Sequence, residues 1–204
     1  MNRAVLALIL GASIGLPTAS AHATEYIYAA GLSGAQENPA VVTSGTGFTT
    51  VTYNDLLHSL RVQVEFSGLT GLTSASHIHV IIPPALNGGV ATQTPTFSGF
   101  PLGVTSGTYD NQFDLTQASS WNAPFITANG GTTAGAEAAF FAALQSGRAY
   151  LNVHTNFAPG GEIRGALAAV PEVATWAMML IGFFGLGAAM RRRRALPQAL
   201  VSYA

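Results

Sequence analysis

The chain is predicted to be all-β: an antiparallel β-sandwich with one short helix, followed by a C-terminal transmembrane helix. Three observations predict it. Residues 60–66, Leu-Arg-Val-Gln-Val-Glu-Phe, alternate apolar and polar without a break, so one face is buried and the other wet, as an antiparallel sheet allows. Further short β-branched and aromatic stretches are separated by Gly-, Pro- and Asn-rich turns, the pattern of a sandwich or barrel. Finally, the apolar run 174–190 stops against Arg191-Arg192-Arg193-Arg194, the signature of an anchor whose basic end stays cytoplasmic.

In chain order, residues 1–23 read as a secretory signal peptide. Arg3 precedes the apolar stretch 4–16, and Ala21-His22-Ala23 is a small-x-small cleavage site before Thr24. An N-terminal membrane helix is excluded because the apolar core is short and interrupted at Pro17. Residues 24–169 then form one domain, long enough for a hydrophobic core without a disulfide or metal staple. Residues 26–32 alternate as a strand. Residues 46–53 form another, closed by Asn54-Asp55 and expected to pair with strand 60–66. Residues 75–82 are a strand ending at Pro83-Pro84. The alanine-rich segment 135–145, with Gly147 beyond it, is the short helix with a glycine stop. Strand 149–155 follows, then the turn Ala158-Pro159-Gly160-Gly161 and a return strand at 162–167.

Charge and composition narrow the function. Between Thr24 and Val170 eight carboxylates face three arginines, a net charge of −5, and lysine is absent, so nucleic acid is a poor partner. There is no cysteine, which removes thiol nucleophiles and cysteine zinc sites. No Gly-x-Ser-x-Gly elbow or phosphate-cradling loop occurs, and the carboxylate pair a glycosidase would need, Glu37 and Glu162, sits in glycine-rich, turn-adjacent motifs that suit an architectural role; the chain is not expected to be an enzyme.

The C-terminal run 175–190 reaches roughly 25 Å as a helix, short of the ~30 Å hydrocarbon layer, with snorkelling arginines and interfacial Trp176 to close the gap. Its wording resembles the PEP-CTERM sorting signal of Gram-negative bacteria. Matching parts are Pro171-Glu172, Thr175-Trp176-Ala177-Met178-Met179-Leu180, Gly182-Phe183, Gly185-Leu186-Gly187 and the block Arg191–Arg194. Two departures are Val173 at the second proline and the tail 195–204 after the arginines, expected to be cytoplasmic. The resemblance implies an exosortase-type processing enzyme as partner. It implies export, anchoring in the inner membrane facing the periplasm, then the cell surface or an extracellular matrix, with exopolysaccharide or surface proteins as partners.

The domain carries motifs in a recognisable order. Leu32-Ser33-Gly34-Ala35-Gln36-Glu37-Asn38-Pro39 opens it; Leu69-Thr70-Gly71-Leu72 precedes Ala75-Ser76-His77-Ile78-His79; and Tyr150-Leu151-Asn152-Val153-His154-Thr155 leads to Pro159-Gly160-Gly161-Glu162-Ile163-Arg164-Gly165. This resembles the CHRD domain of chordin and of secreted bacterial proteins. One departure is Val80-Ile81-Ile82-Pro83-Pro84 before Asn87-Gly88-Gly89, where the family has a short glycine-rich turn. The family supplies an expected fold more than an activity.

His77 and His79 stand two apart on a strand, so both side chains leave one face, roughly 7 Å apart at the backbone, a workable spacing for one divalent metal. Tyr150, Asn152 and His154 share one face of their strand, and Glu162 and Arg164 share one face of the next. If the Ala158–Gly161 turn sets His154 opposite Glu162, then His77, His79, His154 and Glu162 are candidate ligands for copper or zinc. His-x-His on a sandwich strand also resembles the copper/zinc superoxide dismutases, a local similarity of low specificity; from its short strands and turns the sandwich is expected to be immunoglobulin-like or superoxide-dismutase-like. A polar network that only closes the sheet is the alternative. His58 reads as a solvated loop residue. Two functions stay open: a noncatalytic matrix-binding module, with Phe97, Phe100, Trp121 and Phe125 as candidate sugar-stacking aromatics unless they form a satellite core beneath long loops, the reading slightly favoured, or a transition-metal site whose binding fades below about pH 6, as imidazoles of pKa ~6.5 protonate.

Overall fold

A computed structural model describes residues 25–171 and 173–194. The expected signal peptide, Glu172 of the sorting signal and the tail 195–204 lie outside the described residues. Nine strands form one antiparallel sheet: β1 (Glu25–Ser33), β2 (Thr46–Asn54), β3 (Ser59–Ser67), β4 (Thr73–Val80), β5 (Gly89–Val90), β6 (Gly107–Asp114), β7 (Ala149–Thr155), β8 (Ile163–Ala166) and β9 (Ala168–Ala169). The order is β5-β4-β7-β8-β1-β2-β3-β6, with β9 added on β1. Between β8 and β1 the ladder is a single pair, Ser33 with Arg164. The sheet therefore reads as two halves, β5-β4-β7-β8 and β1-β2-β3-β6, in a half-barrel, sandwich-like arrangement.

The alternation in β3 is realised as expected. Leu60, Val62, Val64 and Phe66 are buried, whereas Arg61 and Glu65 are exposed. Its partner β2 pairs along its whole length, Thr46 with Ser67 through Asn54 with Ser59, and buries Val51 and Tyr53 beside it. Tyr28, Ala30 and Leu32 of β1 continue the same core, and Ile78, Leu151, Val153 and Ile163 supply it from the other half. Burial of this many β-branched and aromatic side chains drives collapse of the two halves onto each other.

Two helices, not one, lie in the domain: α1 (Ala123–Ala128) and α2 (Thr133–Gln145). The first is only 6 residues long and starts with proline near its N-terminus. The second is capped by Thr132, whose hydroxyl accepts from the Gly135 amide at 3.1 Å, and ends at Gly147 with φ 66°. It buries Ala136, Phe140, Ala143 and Leu144. The strand β6 pairs with β3 from Ser59–Asp114 to Phe66–Gly107, yet its sequence Gly-Thr-Tyr-Asp-Asn-Gln-Phe-Asp is poor in strand formers.

Near the end of the domain, β9 pairs Ala168 and Ala169 with Ala29 and Tyr28 of β1, and the Val170 amide donates to the Ile27 carbonyl at 2.8 Å. Beyond it α3 (Val173–Arg194) forms over the apolar run and the arginines, with Leu180, Phe183 and Phe184 exposed. The expectation of a transmembrane helix is met as a helix but not as a span. Among the described residues no helix is long and apolar enough to cross a membrane. The apolar run is short, and Gly182, Gly185 and Gly187 dilute it before the arginines close it.

Candidate metal centre

Both faces of β4 and β7 are largely covered. Ser76, Ile78 and Val80 of β4, with Leu151 and Val153 of β7, point into the core. The opposite face holds His77 and His79 on β4 and Tyr150, Asn152 and His154 on β7, as the period of two requires. Register sets His77 opposite Asn152, His79 opposite Tyr150 and His154 opposite Ala75. The three imidazoles thus meet diagonally across one strand pair, with ring centroids 5.2 to 5.8 Å apart.

Each imidazole is held by one backbone carbonyl. His77 Nε2 lies 2.7 Å from the Pro95 carbonyl, His79 Nδ1 3.0 Å from Gly88 and His154 Nδ1 2.9 Å from Pro159. A carbonyl only accepts, so each of these nitrogens carries the proton, and in a neutral ring the other nitrogen keeps its lone pair. The free lone pairs are therefore His77 Nδ1, His79 Nε2 and His154 Nε2. His77 Nδ1 and His154 Nε2 stand 3.3 Å apart, two acceptors facing each other. His79 Nε2 is buried and, among the described residues, has no hydrogen-bond partner. One ligand atom from each of the three side chains falls within 4.8 Å of the others.

Electrostatics keep these rings neutral. Burial pushes His77 and His154 below the ordinary histidine range. His79 is pushed down to about 4, by burial first and then by the positive charge that His154, His77 or Arg164 would set beside it. Neutral imidazole is the metal-binding form. Tetrahedral zinc at 2.0–2.1 Å from nitrogen implies ligand nitrogens about 3.3–3.4 Å apart, and the His77–His154 pair already matches that separation. Ring protons donated to backbone carbonyls are also the usual outer support of histidine ligands.

The fourth expected ligand is not brought there. Glu162 precedes β8, and Gly161 before it has φ 131°, so the period of two that places Arg164 does not extend to Glu162. Its carboxylate is fully buried and accepts four hydrogen bonds: from the Thr43 hydroxyl (2.5 Å), the Thr70 amide (2.6 Å), the Gly71 amide (3.0 Å) and the Thr155 hydroxyl (2.7 Å). Burial raises its pKa, but those four bonds outweigh it and the net shift is downward. Glu162 is an anchor for the 43–45 and 69–72 loops, apart from the imidazoles.

Arg164 does lie beside the cluster. Its guanidinium sits 4.7 Å over the Tyr150 ring, and Tyr150 stacks on His79 at 4.9 Å. It donates to the Gln36 carbonyl and to Asn87 Oδ1 (2.8 Å), while Asn87 Nδ2 donates to the Asn38 carbonyl (2.7 Å). This network fixes the residue next to Gly88, whose carbonyl holds His79. Glu37, 3.8 Å from Arg164, is nearly buried; desolvation drives its pKa up to about 7 despite the arginine. Nothing in the sequence marks the carbonyls of Pro95, Gly88 or Pro159 as partners of the imidazoles, because a backbone carbonyl has no side-chain signature.

Other expected site residues fall elsewhere. Phe97, Phe100 and Trp121 are core residues, Trp121 donating its indole N–H to the Leu115 carbonyl at 2.8 Å, and Phe125 packs partly buried against them. None is an exposed sugar-stacking platform. His58 is half exposed but not merely solvated: its Nδ1 is 3.0 Å from both oxygens of buried Glu137, which also accepts from the Tyr53 hydroxyl at 2.9 Å. Of the sorting-signal residues, Pro171 is exposed and Arg191–Arg194 form the last turn of α3.

No curated protein and no solved structure matches the chain. The family model of the CHRD domain does, over residues 28–167, from Tyr28 in the first strand to Leu167 after β8. That span contains the whole sheet core and all three imidazoles, and by it the chain belongs to the CHRD domain family.

Proposed function

We propose that the domain is a noncatalytic, transition-metal-binding module, holding zinc or copper on His77 Nδ1, His79 Nε2 and His154 Nε2. The observation that carries this is the convergence of three lone pairs, each fixed by a backbone carbonyl, with one of them buried and unpartnered. An empty polar network would leave two acceptors facing each other at 3.3 Å and a desolvated lone pair, both unfavourable. A divalent ion removes both costs. Elemental analysis of the purified full-length chain, after incubation with zinc and with copper, tests it. The expected result is about one ion per chain, lost when His77 and His79 are both replaced by alanine. An ion retained by that double variant, or none in the parent, overturns it.

We also propose that the module is exported beyond the inner membrane, by way of the signal peptide and the PEP-CTERM-like tail, with an exosortase-type enzyme as processing partner and an exopolysaccharide or surface-protein matrix as destination. What supports this is the pairing of Pro171-Glu172 with an apolar helix closed by Arg191–Arg194. Replacing the four arginines by glutamine should leave the protein in the periplasmic fraction. Unchanged delivery to the cell surface would rule the sorting role out.

A further inference from the structure

Asn152 occupies the middle of the histidine face. It is directly opposite His77 in register and two residues from His154 on the same strand, yet it belongs to neither the core nor any charged pair. The residue is almost completely buried, and among the described residues its Oδ1 has no hydrogen-bond partner. Its amide nitrogen donates weakly, at 3.4 Å, to the Gly160 carbonyl. A Cβ on Gly161 would come within 2.4 Å of both amide heteroatoms, so the amide lies in a cradle that only glycine leaves open. A buried acceptor without a donor is costly and calls for an occupant. Two such orphan atoms, His79 Nε2 and Asn152 Oδ1, lie on this one face of β4 and β7.

The geometry points to an open fourth coordination position at the metal centre, filled by a water that donates to Asn152 Oδ1 and exchanges for small anions. This rests on the metal reading above. Three protein ligands suffice for an open site, whereas a closed structural zinc site takes four. Glu162, the carboxylate that would close it, is committed to Thr43, Thr70, Gly71 and Thr155. His77 and His79 are buried, and His154 is partly exposed, which gives exogenous ligands their route in. Three neutral imidazoles leave a divalent ion its full charge, so the ligand class favoured at the fourth position is a small anionic oxygen or nitrogen donor.

Cobalt(II) reports directly on this. The full-length chain, loaded with cobalt, is titrated with sodium azide while the visible absorption bands are followed. The expected result is a saturable band shift. Asn152→Leu, which removes the acceptor holding the water, should tighten azide by up to about tenfold. Asn152→Asp, which keeps an acceptor and adds a repelling charge, should weaken it by more than tenfold, and serves if the leucine variant does not fold. A cobalt spectrum indifferent to azide overturns the open position, and azide affinities equal in parent and variants overturn the water held by Asn152; either leaves the metal centre standing. A chain that takes up no cobalt overturns both.

Discussion

Glu162 shows how one buried carboxylate can tie two loops to the end of a strand. Its two oxygens collect a hydroxyl and an amide each, from Thr43 and Thr70 on one and from Thr155 and Gly71 on the other. Glutamine there offers one acceptor and turns an N–H₂ towards two donors. Glu162→Gln should therefore lower stability by about 2–4 kcal/mol at pH 7, measured by urea unfolding. Because the folded carboxyl titrates below its unfolded value, the parent's advantage is present above pH ~4.5 and fades as the pH falls through the folded pKa. A deficit unchanged from pH 7 down to acid would show that packing, not the charge, is at stake. At this scale the sequence was legible for the imidazoles and not for the carboxylate. Strand periodicity places His77, His79 and His154 correctly, whereas the glycine turn before Glu162 interrupts that periodicity and sends the side chain to the loops.

Elements matter to the site through the loops they carry. The glycine-bearing loop before β5 is tied to β8 by Arg164–Asn87 and to the loop after β1 by Asn87–Asn38, and Gly88 within it orients His79. Asn87→Ala leaves the three ligands intact but releases that loop. It should weaken zinc binding by about 10- to 100-fold in a competition assay, with the circular dichroism spectrum unchanged. Unaltered affinity would mean that His79 needs no such support. Strands rich in β-branched residues, β2 and β3 among them, are readable from sequence, as is α2 with its glycine stop. β6 is not, since Asp110, Asn111 and Asp114 depress its strand propensity and only full-length pairing with β3 makes it a strand. The aromatics at 97, 100 and 121 lie in segments without periodicity, so the sequence leaves both an exposed and a buried role open; tertiary packing draws their side chains inward, as the satellite-core reading expects.

Across the whole molecule, the metal reading carries a pH signature that differs from the one expected of ordinary histidines. Three ligands titrating at ~6.5 would cost about thirtyfold in affinity between pH 7 and pH 6 through proton competition. Burial lowers all three here, His79 to about 4, so His79 adds almost nothing to the proton competition and the loss over that interval should be under tenfold. Isothermal titration with zinc at pH 7, 6 and 5 separates the two. The fold also decides how the module behaves under mechanical load. Its N-terminal strand and its last strand lie side by side, joined by the two residue pairs of β9 and the Val170–Ile27 bond. A load taken up through residue 171 meets that short ladder first, because β9 is the last strand before it. The strands bearing the imidazoles, β4 and β7, lie beyond β8 in the sheet order, so two residue pairs and one further bond stand between a C-terminal load and the rest of the sheet that holds them.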